Sequence, residues 1–481
     1  MQAYDVAIVG GGITGCALAF ELGRYRVKTA LLERSNDVAA GATRANSGIV
    51  HAGYDPEPGT LMARCNVEGN ALIRELAPAL GVSYRNNGSL VVALSEEDRP
   101  RLKNLFDRGI QNGVPGLELL SGEEARRREP QLAAEVVGAL YAPTAGIISP
   151  WEFALALAET AVQNGCAFLP EYEVVSIRKD GEGFRLATAG GREIRSRFVV
   201  NAAGTHGDRV NDLVAPHTFD IRPSKGQYYL LDKAQGNLVG ATVFQCPSKD
   251  GKGVLVAPTV HGNLIVGPDA VSQEDPDDTA VTASGLAFVA AQARRSVPGF
   301  VLRDSIRNFA GVRAVGARAD GRDDFIAGEA PGVPGFFNLC GIKSPGLTSA
   351  PALARVGVEM LGKAGLPLEP REEFRLCPRP RPFRTATDGE RSAMAAENPL
   401  YGRVVCRCET VTEGEVVAAA HEPIPAMSVD GVKRRCNAGM GRCQGGFCGP
   451  RVTAILAREM GIPMAEVPQD GPGTQMLTGR L

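Results

Sequence analysis

At 481 residues the chain is long enough for about two to four domains of ordinary size, each with a filled core. Its formal net charge of −2 excludes an electrostatic basis for nucleic-acid binding, and its eleven cysteines, an odd number, do not suit a secreted disulfide framework. No stretch approaches the roughly 20 apolar residues of a transmembrane segment, so we expect a cytoplasmic protein, with peripheral attachment at the inner face of the membrane left open.

The first 34 residues predict a strand, a glycine-rich turn, a helix and a second strand. In this pattern Gly10 makes the tight turn, Gly12 lets the backbone approach a pyrophosphate, and Gly15 allows the helix to pack closely on the strand. The helix N-terminus then holds the phosphates, and Glu33 accepts hydrogen bonds from ribose hydroxyls. The pattern predicts a dinucleotide site but does not separate FAD from NAD. The residues assigned to this site are Gly10, Gly12, Thr14, Gly15, Glu33 and Arg34.

The next candidate segment, residues 43–53, is dense in hydroxyl, amide and glycine groups. It closely resembles the flavin-contacting loop of the FAD-dependent 2-hydroxyacid and glycerol-3-phosphate dehydrogenases, in which a histidine follows a Ser-Gly pair and faces the substrate. The resemblance assigns FAD contacts to Thr43, Asn46 and Ser47. It makes His51 the catalytic base, because an imidazole can take a hydroxyl proton while the adjacent carbon gives up hydride. A histidine that only hydrogen-bonds the flavin or the backbone is the alternative.

Three later segments resemble the D-amino-acid-oxidase-like superfamily, and this resemblance, which spans residues 3–365, favours FAD. Residues 172–175 fall where the superfamily clamps the adenine, and residues 198–204 predict a strand that runs into a small-residue turn. Residues 336–348 predict a strand, a Gly/Pro turn and a helix whose N-terminus faces the flavin pyrimidine edge. The FAD contacts implied by these segments are Val174, Ala203, Gly204, Gly341, Gly346, Leu347 and Thr348.

Two cations are candidates to hold the anionic group of a substrate. Arg313 matches the superfamily position at which an arginine binds carboxylate or phosphate, and its planar fork suits either anion. A surface arginine is the alternative, because the surrounding loop is basic. Lys343 lies in the turn beside the expected flavin edge, where it would stabilise the reduced flavin or contact a phosphate. Tyr228 is expected either to close over the substrate or to pack in the core.

The chain is therefore predicted to be an α/β protein in which a Rossmann-like FAD-binding domain carries an inserted antiparallel-sheet substrate domain, with a small C-terminal domain after it. The expected ranges are 1–80, 145–215 and 325–365 for FAD binding, and 81–144 and 216–324 for the substrate domain. Residues 279–296 predict one helix packed in the core. The Pro- and Arg-rich residues 366–401 predict a solvated, extended linker, and residues 463–481 predict a loose or partner-held tail.

Four cysteines in two closely spaced pairs mark the C-terminal domain, residues 402–462. They are Cys406 and Cys408, then Cys443 and Cys448. Convergent thiolates among glycines suit an iron–sulfur cluster, whereas structural zinc, the alternative, usually uses Cys-x2-Cys pairs. The stretch 434–445 resembles the bacterioferritin-associated-ferredoxin-like [2Fe-2S] domain, which implies that these four cysteines are the cluster ligands. Cys436 departs from the threonine that is more frequent in that family, and we expect a free thiol rather than a competing ligand.

Together these resemblances imply an FAD-dependent dehydrogenase that oxidises sn-glycerol 3-phosphate to dihydroxyacetone phosphate. Electrons would pass from FAD to the [2Fe-2S] cluster and on to a separate electron-accepting flavoprotein subunit or a quinone. A dehydrogenase of L-2-hydroxyglutarate or another 2-hydroxyacid is the alternative, because residues 51–69 and 344–348 resemble the L-2-hydroxyglutarate enzymes. An alternative of another class is an electron-relay subunit with catalysis in a partner.

Overall fold

The first strand of the chain lies inside a parallel sheet. The computed structural model describes residues 2–247, 253–477 and 479. The helices of these residues are α1 (Ile13–Leu22), α2 (Leu61–Ala79), α3 (Arg99–Gln111), α4 (Gly122–Arg128), α5 (Pro150–Gln163), α6 (Gly207–Asn211), α7 (Ala283–Arg294), α8 (Gly346–Lys363), α9 (Asp388–Glu397), α10 (Glu413–Ala420), α11 (Val429–Cys436) and α12 (Gly449–Met460). The strands are β1 (Gln2–Val9), β2 (Thr29–Leu32), β3 (Ile49–Val50), β4 (Tyr84–Arg85), β5 (Ser89–Ala93), β6 (Glu118–Ser121), β7 (Gly138–Ala142), β8 (Gly146–Ile148), β9 (Ala167–Leu169), β10 (Ser176–Asp180), β11 (Gly183–Ala187), β12 (Glu193–Asn201), β13 (Phe219–Leu231), β14 (Thr242–Gln245), β15 (Leu255–Pro258), β16 (Leu264–Gly267), β17 (Val271–Ser272), β18 (Ser305–Arg318), β19 (Ile326–Glu329), β20 (Phe336–Cys340), β21 (Val404–Cys406) and β22 (Val411–Thr412).

The parallel strands run in the order β9–β2–β1–β12–β20, and β10, β11 and β19 extend this sheet in antiparallel pairings. Helices α1, α5 and α8 pack together over one face and close a large apolar core. At the turn from β1 into α1, Gly10 has φ +112°, and a Cβ on Gly15 would lie 2.0 Å from the Gly10 carbonyl oxygen. Helix α1 therefore begins at the carboxyl ends of β1 and β2, where doubly wound sheets bind ligands. The predicted Rossmann-like fold is confirmed.

A second sheet has the order β17–β13–β16–β15–β14–β5–β7–β6, with β18 along the other part of β13. Its pairings are antiparallel, as predicted, except that β14 and β5 run parallel. Helix α7 lies on this sheet through Val289, Ala290 and Ala293. Only this face of α7 is packed in the core as predicted. Another part of the helix is open to solvent, since Phe288 is 42% exposed.

Residues 366–401, which precede the C-terminal domain, do not form the solvated, extended linker that their composition predicts. Arg379 is buried and donates hydrogen bonds to Glu159 and Glu422, at 2.9 and 2.6 Å. Phe383 is also buried, and α9 follows it. The prediction of solvated arginines is wrong here because two carboxylates from distant parts of the chain offset the desolvation of the guanidinium group.

The C-terminal residues form a small domain with its own core. Strands β21 and β22 pair, and α10, α11 and α12 enclose buried side chains such as Val416, Val432 and Leu456. Helix α10 begins at Thr412, whose hydroxyl accepts from the Glu415 N–H while the Glu415 carboxylate accepts from the Thr412 N–H. This capping box satisfies two backbone donors that the first turn of a helix leaves unpaired.

Part of the expected loose tail is packed rather than loose. The Pro468 carbonyl accepts from the Val429 N–H at 3.1 Å. The Asp470 carboxylate accepts from Arg44 and Arg434, at 2.6 and 3.1 Å, so two cations fix this segment in place. Residues 478, 480 and 481 of the predicted tail lie outside the described residues. Across the described chain, no helix is both long and apolar enough to cross a bilayer.

Candidate functional site

A cavity of about 940 Å³ lies where the parallel sheet meets the antiparallel sheet. Its walls include the turn after β1, the loop before β3, the turn before α8 and the inner side of β13, β14 and β18. The predicted cofactor residues that line it are Gly10, Gly12, Thr14, Glu33, Arg34, Thr43, Asn46, Ser47, Val174, Ala203, Gly204, Gly346 and Leu347. The three predicted catalytic residues, His51, Arg313 and Lys343, also line it. The fold therefore gathers in one place residues that are up to 337 positions apart in the sequence, from Gly10 to Leu347.

The dinucleotide end of the cavity is built on Glu33 and the glycine turn. The buried Glu33 carboxylate accepts from the N–H groups of Gly11 and Ser35, at 2.7 and 2.8 Å. Burial raises the pKa of Glu33 although these hydrogen bonds oppose the shift. A Cβ on Gly12 would meet only the Thr43 hydroxyl, at 3.5 Å, so the backbone at Gly12 faces open space. The turn thus leaves room for a pyrophosphate against the start of α1, and the residues fit a dinucleotide.

Three of the predicted FAD contacts, Gly15, Gly341 and Thr348, do not line the cavity. Gly15 faces the Gly10 carbonyl, and Gly341, with φ +65°, turns the chain between β20 and α8. Thr348 is buried, and its hydroxyl accepts from the His51 N–H at 2.9 Å and donates to the Ile49 carbonyl at 3.3 Å. Thr348 therefore holds the loop that carries His51 instead of facing a ligand.

His51 is fixed by contacts on both its backbone and its ring. Its carbonyl accepts from the side-chain amides of Asn66 and Asn70, at 2.8 and 3.1 Å. The ring stacks on Phe244 with centroids 5.7 Å apart, and Nε2 lies 3.3 Å from the Ser344 hydroxyl. These contacts present the imidazole to the cavity next to the turn before α8.

Arg313 reaches the cavity from the middle of β18, opposite Ser224 on β13. Its Nη1 donates to the Ser224 hydroxyl at 3.4 Å and its Nη2 to the Asp269 carbonyl at 3.1 Å. A Cβ on Gly226 would lie 2.3 Å from Nη2, so the guanidinium group occupies the space that this glycine leaves. Lys343, by contrast, is held in an ion pair by the Asp323 carboxylate at 2.7 Å.

Several residues of this site carry no marker in the sequence. Phe244 lies in an ordinary apolar strand, and Gly226 gives no sign of the arginine that packs over it. Ser344 follows the predicted site residue Lys343 directly in the Gly/Pro turn, and this adjacency is the one sequence signal that Ser344 belongs to the site. Tyr228 both lines the cavity and stacks on Phe309, with centroids 4.8 Å apart and ring planes 9° apart, so its two expected roles coexist.

The four predicted cluster ligands lie together as two pairs. The Cys408 and Cys443 sulfurs are 3.7 Å apart, close to the separation of about 3.8 Å expected of two thiolates on one tetrahedral metal with bonds of about 2.3 Å. The Cys406 and Cys448 side chains interact, which lowers the pKa of the Cys406 thiol and raises that of the Cys448 thiol. Within the described residues, no group of three or more His, Cys, Asp or Glu side chains converges on a single-ion site. Four cysteine thiolates grouped in this way would suit a [2Fe-2S] cluster, with Cys406, Cys408, Cys443 and Cys448 as the residues that would hold it.

Cys436 is separate from these pairs. Its thiol donates to the Val432 carbonyl one helical turn earlier, at 3.3 Å. Burial raises the pKa of this thiol to about 12. These contacts support the expectation of a free thiol.

A dinucleotide cavity together with a small domain that carries two cysteine pairs defines a redox protein with a dinucleotide cofactor and an iron–sulfur cluster. The family model described as FAD dependent oxidoreductase matches residues 5–360, and the one described as BFD-like [2Fe-2S] binding domain matches residues 404–458. The chain belongs to this family of FAD-dependent oxidoreductases, and its predicted cofactors, FAD and a [2Fe-2S] cluster, are confirmed.

Individual relatives resemble the whole chain or its larger part. A glycerol 3-phosphate dehydrogenase from Caloramator mitchellensis is 47% identical over 477 residues, which cover 99% of this chain and 98% of that protein. The human mitochondrial L-2-hydroxyglutarate dehydrogenase is 30% identical over 408 residues, with 73% of this chain and 87% of that protein covered. The dithionite-reduced L-alpha-glycerophosphate oxidase from Mycoplasma pneumoniae, solved with FAD bound, aligns with a TM-score of 0.74 at 32% identity and covers 79% of this chain and 100% of that one.

Proposed function

We propose that this protein oxidises sn-glycerol 3-phosphate to dihydroxyacetone phosphate and releases the electrons through its C-terminal domain. The observation that carries the proposal is the 47% identity to a glycerol 3-phosphate dehydrogenase along 99% of the chain, because that similarity includes both the cavity and the cysteine pairs. When bound, FAD accepts hydride from the substrate carbon and the [2Fe-2S] cluster carries electrons one at a time.

In this proposal His51 takes the proton of the substrate hydroxyl at Nε2. Ser344 lies 3.3 Å from that atom and orients the ring, and stacking on Phe244 limits its rotation. The hydrogen bond from the His51 backbone N–H to the Thr348 hydroxyl fixes the position of His51 relative to the start of α8. A base held at a set position loses little conformational freedom when the substrate binds.

Arg313 binds the substrate phosphate with two parallel N–H donors. Its present partners, the Ser224 hydroxyl and the Asp269 carbonyl, are both neutral, so its charge is available to an anion. Lys343 supplies the second positive charge of the proposed site. Because Asp323 already pairs with Lys343, the phosphate must compete for this lysine, and Arg313 carries most of the binding.

The C-terminal domain favours a dehydrogenase over an oxidase. The oxidase from Mycoplasma pneumoniae covers 79% of this chain, which leaves about a fifth of it unmatched, whereas the dehydrogenase from Caloramator mitchellensis matches nearly all of it. A chain that delivers electrons to oxygen at the flavin has no need of a one-electron outlet. We therefore propose a separate electron acceptor, either a flavoprotein subunit or a quinone. We also propose a cytoplasmic location, because none of the eleven cysteines, all of them among the described residues, forms a disulfide.

A second candidate substrate is L-2-hydroxyglutarate. The human L-2-hydroxyglutarate dehydrogenase is 30% identical over 73% of the chain, and Arg313 would bind a carboxylate as readily as a phosphate. Anaerobic mixing of the purified holoprotein with each substrate, followed by flavin absorbance, separates the two. We expect glycerol 3-phosphate to bleach the flavin and L-2-hydroxyglutarate to leave it oxidised; the reverse result would exclude our proposal.

The same experiment tests the electron-relay alternative. Bleaching of the flavin by substrate in the isolated chain requires catalysis within this chain. Bleaching that occurs only after a partner is added would assign catalysis to the partner and reduce this protein to a relay. Glycerol is a suitable control, because it keeps the secondary hydroxyl and lacks the phosphate.

A further inference from the structure

Phe447 lies immediately before the cluster ligand Cys448, and its side chain is almost fully in solvent. It is 87% exposed, more than any other large apolar side chain in the described part of the chain. The Phe447 backbone N–H helps to lower the pKa of the Cys443 thiol. Any residue type supplies that N–H, however, so this effect does not account for a phenyl ring that contacts so little of the protein.

Three exposed arginines flank the cluster ligands in the sequence or contact the loop that carries this ring. Arg407 stands between two cluster ligands, and Arg451 follows Cys448 on the first turn of α12; both are exposed. Arg307, also exposed, reaches the same loop and contacts the Gln444 side chain at 3.4 Å. We call Phe447, Arg407, Arg451 and Arg307 the cluster face.

Two acidic groups near the cluster ligands are already paired with other cations. Glu409, beside the ligand Cys408, is buried and accepts from Lys233 and Arg384, each at 2.8 Å. Asp232 accepts from Arg442 at 2.9 Å, which neutralises that exposed arginine without drawing on the cluster face. The surface around the ligand Cys408, itself exposed, therefore combines one exposed aromatic side chain with exposed arginines that Glu409 and Asp232 do not neutralise.

We propose that the cluster face docks an acidic, one-electron carrier protein. The inference deepens the proposed function and rests on it, since it names the chemistry of the acceptor. An exposed aromatic side chain with arginines on the neighbouring segments has the composition of a protein-binding hot spot, and like-signed arginines select an acidic partner and speed its approach. Oxidation of one glycerol phosphate releases two electrons and two protons, so two carrier molecules are each reduced by one electron.

Rubredoxin, a small acidic one-electron iron protein, is the probe, and cytochrome c, a basic one-electron carrier, is its counterpart. Binding of each to the oxidised holoprotein is measured by interferometry at about 20 and about 200 mM NaCl, because screening lengths differ strongly between these conditions. The variants are Phe447→Ser and Arg451→Glu. Matched controls are Ile110→Ser, which removes another exposed apolar side chain, and Arg127→Glu, which reverses an exposed charge on α4.

We expect rubredoxin to bind at low salt and cytochrome c not to bind. Phe447→Ser should weaken binding at least about tenfold, as loss of a hot spot does, and Arg451→Glu should weaken it and flatten its salt dependence. Both controls should bind as the parent does. Visible absorption and iron content of each variant establish that the cluster is intact.

Other results overturn the proposal. They are absence of rubredoxin binding, binding that Phe447→Ser leaves within about twofold of the parent, or preference for cytochrome c. Loss of a dimer in Phe447→Ser would assign the face to a second copy of this chain, and loss of cosedimentation with anionic lipid vesicles would assign it to a membrane surface. Flavin bleaching by glycerol 3-phosphate is recorded in the same samples, and its failure with rubredoxin binding intact would overturn the proposed substrate alone.

Discussion

Arg435 of the C-terminal domain and Asp37 of the FAD-binding domain form a buried, bidentate ion pair. Nη1 lies 2.8 Å from Oδ2 and Nη2 lies 3.0 Å from Oδ1. Arg434 adds a further bond to the same carboxylate at 3.0 Å. Burial on its own raises the pKa of Asp37, but the charges of Arg435 and Arg434 outweigh it and hold this pKa below its usual range. Both side chains of the Asp37–Arg435 pair are nearly inaccessible, at 3% and 0% exposure, so the pair fixes how the two domains meet.

Replacement of Asp37 should therefore separate the domains before it unfolds either of them. Asp37→Asn leaves two buried guanidinium groups with reduced compensation, and we expect a loss of about 3 kcal/mol in the free energy of unfolding. Scanning calorimetry should show the C-terminal domain unfolding as a separate transition at lower temperature. Asp388→Asn is the control, because that carboxylate is fully exposed and should change little. A single unfolding transition at the parent temperature would contradict this interpretation.

Features that depend on short-range sequence patterns could be predicted from the sequence. Contacts between residues that are far apart in the sequence could not. The turn from Gly10 to Gly15 and the spacing from Cys443 to Cys448 each specify a local backbone, and the structure has both. The burial of Arg379 could not be predicted, because its partner Glu159 is 220 positions away and no local pattern links them. The docking of Asp470 against Arg44 depends in the same way on the completed fold, since 426 positions separate the two.

His51 should be required for the proton transfer and not for holding the flavin. His51→Gln replaces the imidazole with an amide of similar reach and removes the base, and we expect flavin bleaching by glycerol 3-phosphate to slow by at least about a hundredfold. FAD content, measured from the released flavin, should stay at the parental level. Thr348→Val is a comparison variant, because it loses the bond to the His51 N–H and keeps the imidazole. A parental bleaching rate in His51→Gln would remove this histidine from the mechanism.

Cys436 should be dispensable for the cluster. Its thiol donates to Val432 and its pKa is raised to about 12 by burial, so little thiolate is present at neutral pH for either a metal or an alkylating agent. Cys436→Ser should retain the iron content and visible spectrum of the parent, whereas Cys448→Ser should lose both. Iodoacetamide at pH 8 should leave Cys436 unmodified in the folded holoprotein, and peptide mass spectrometry reads this directly. Loss of iron in Cys436→Ser would identify a fifth ligand.

Gly226 offers a way to test Arg313 without changing its charge. A Cβ at this position would lie 2.3 Å from the Arg313 Nη2 and 2.8 Å from the Pro268 side chain, so the guanidinium group must move. Because a displaced fork loses one of its two bonds to the phosphate, Gly226→Ala should raise KM for glycerol 3-phosphate about tenfold, with a smaller effect on kcat. Gly389→Ala is the matched control, since nothing lies within 4 Å of the added carbon. If Gly226→Ala leaves KM unchanged while Arg313→Ala raises it, the guanidinium group still binds the phosphate after it is displaced. If neither variant raises KM, Arg313 does not bind the phosphate.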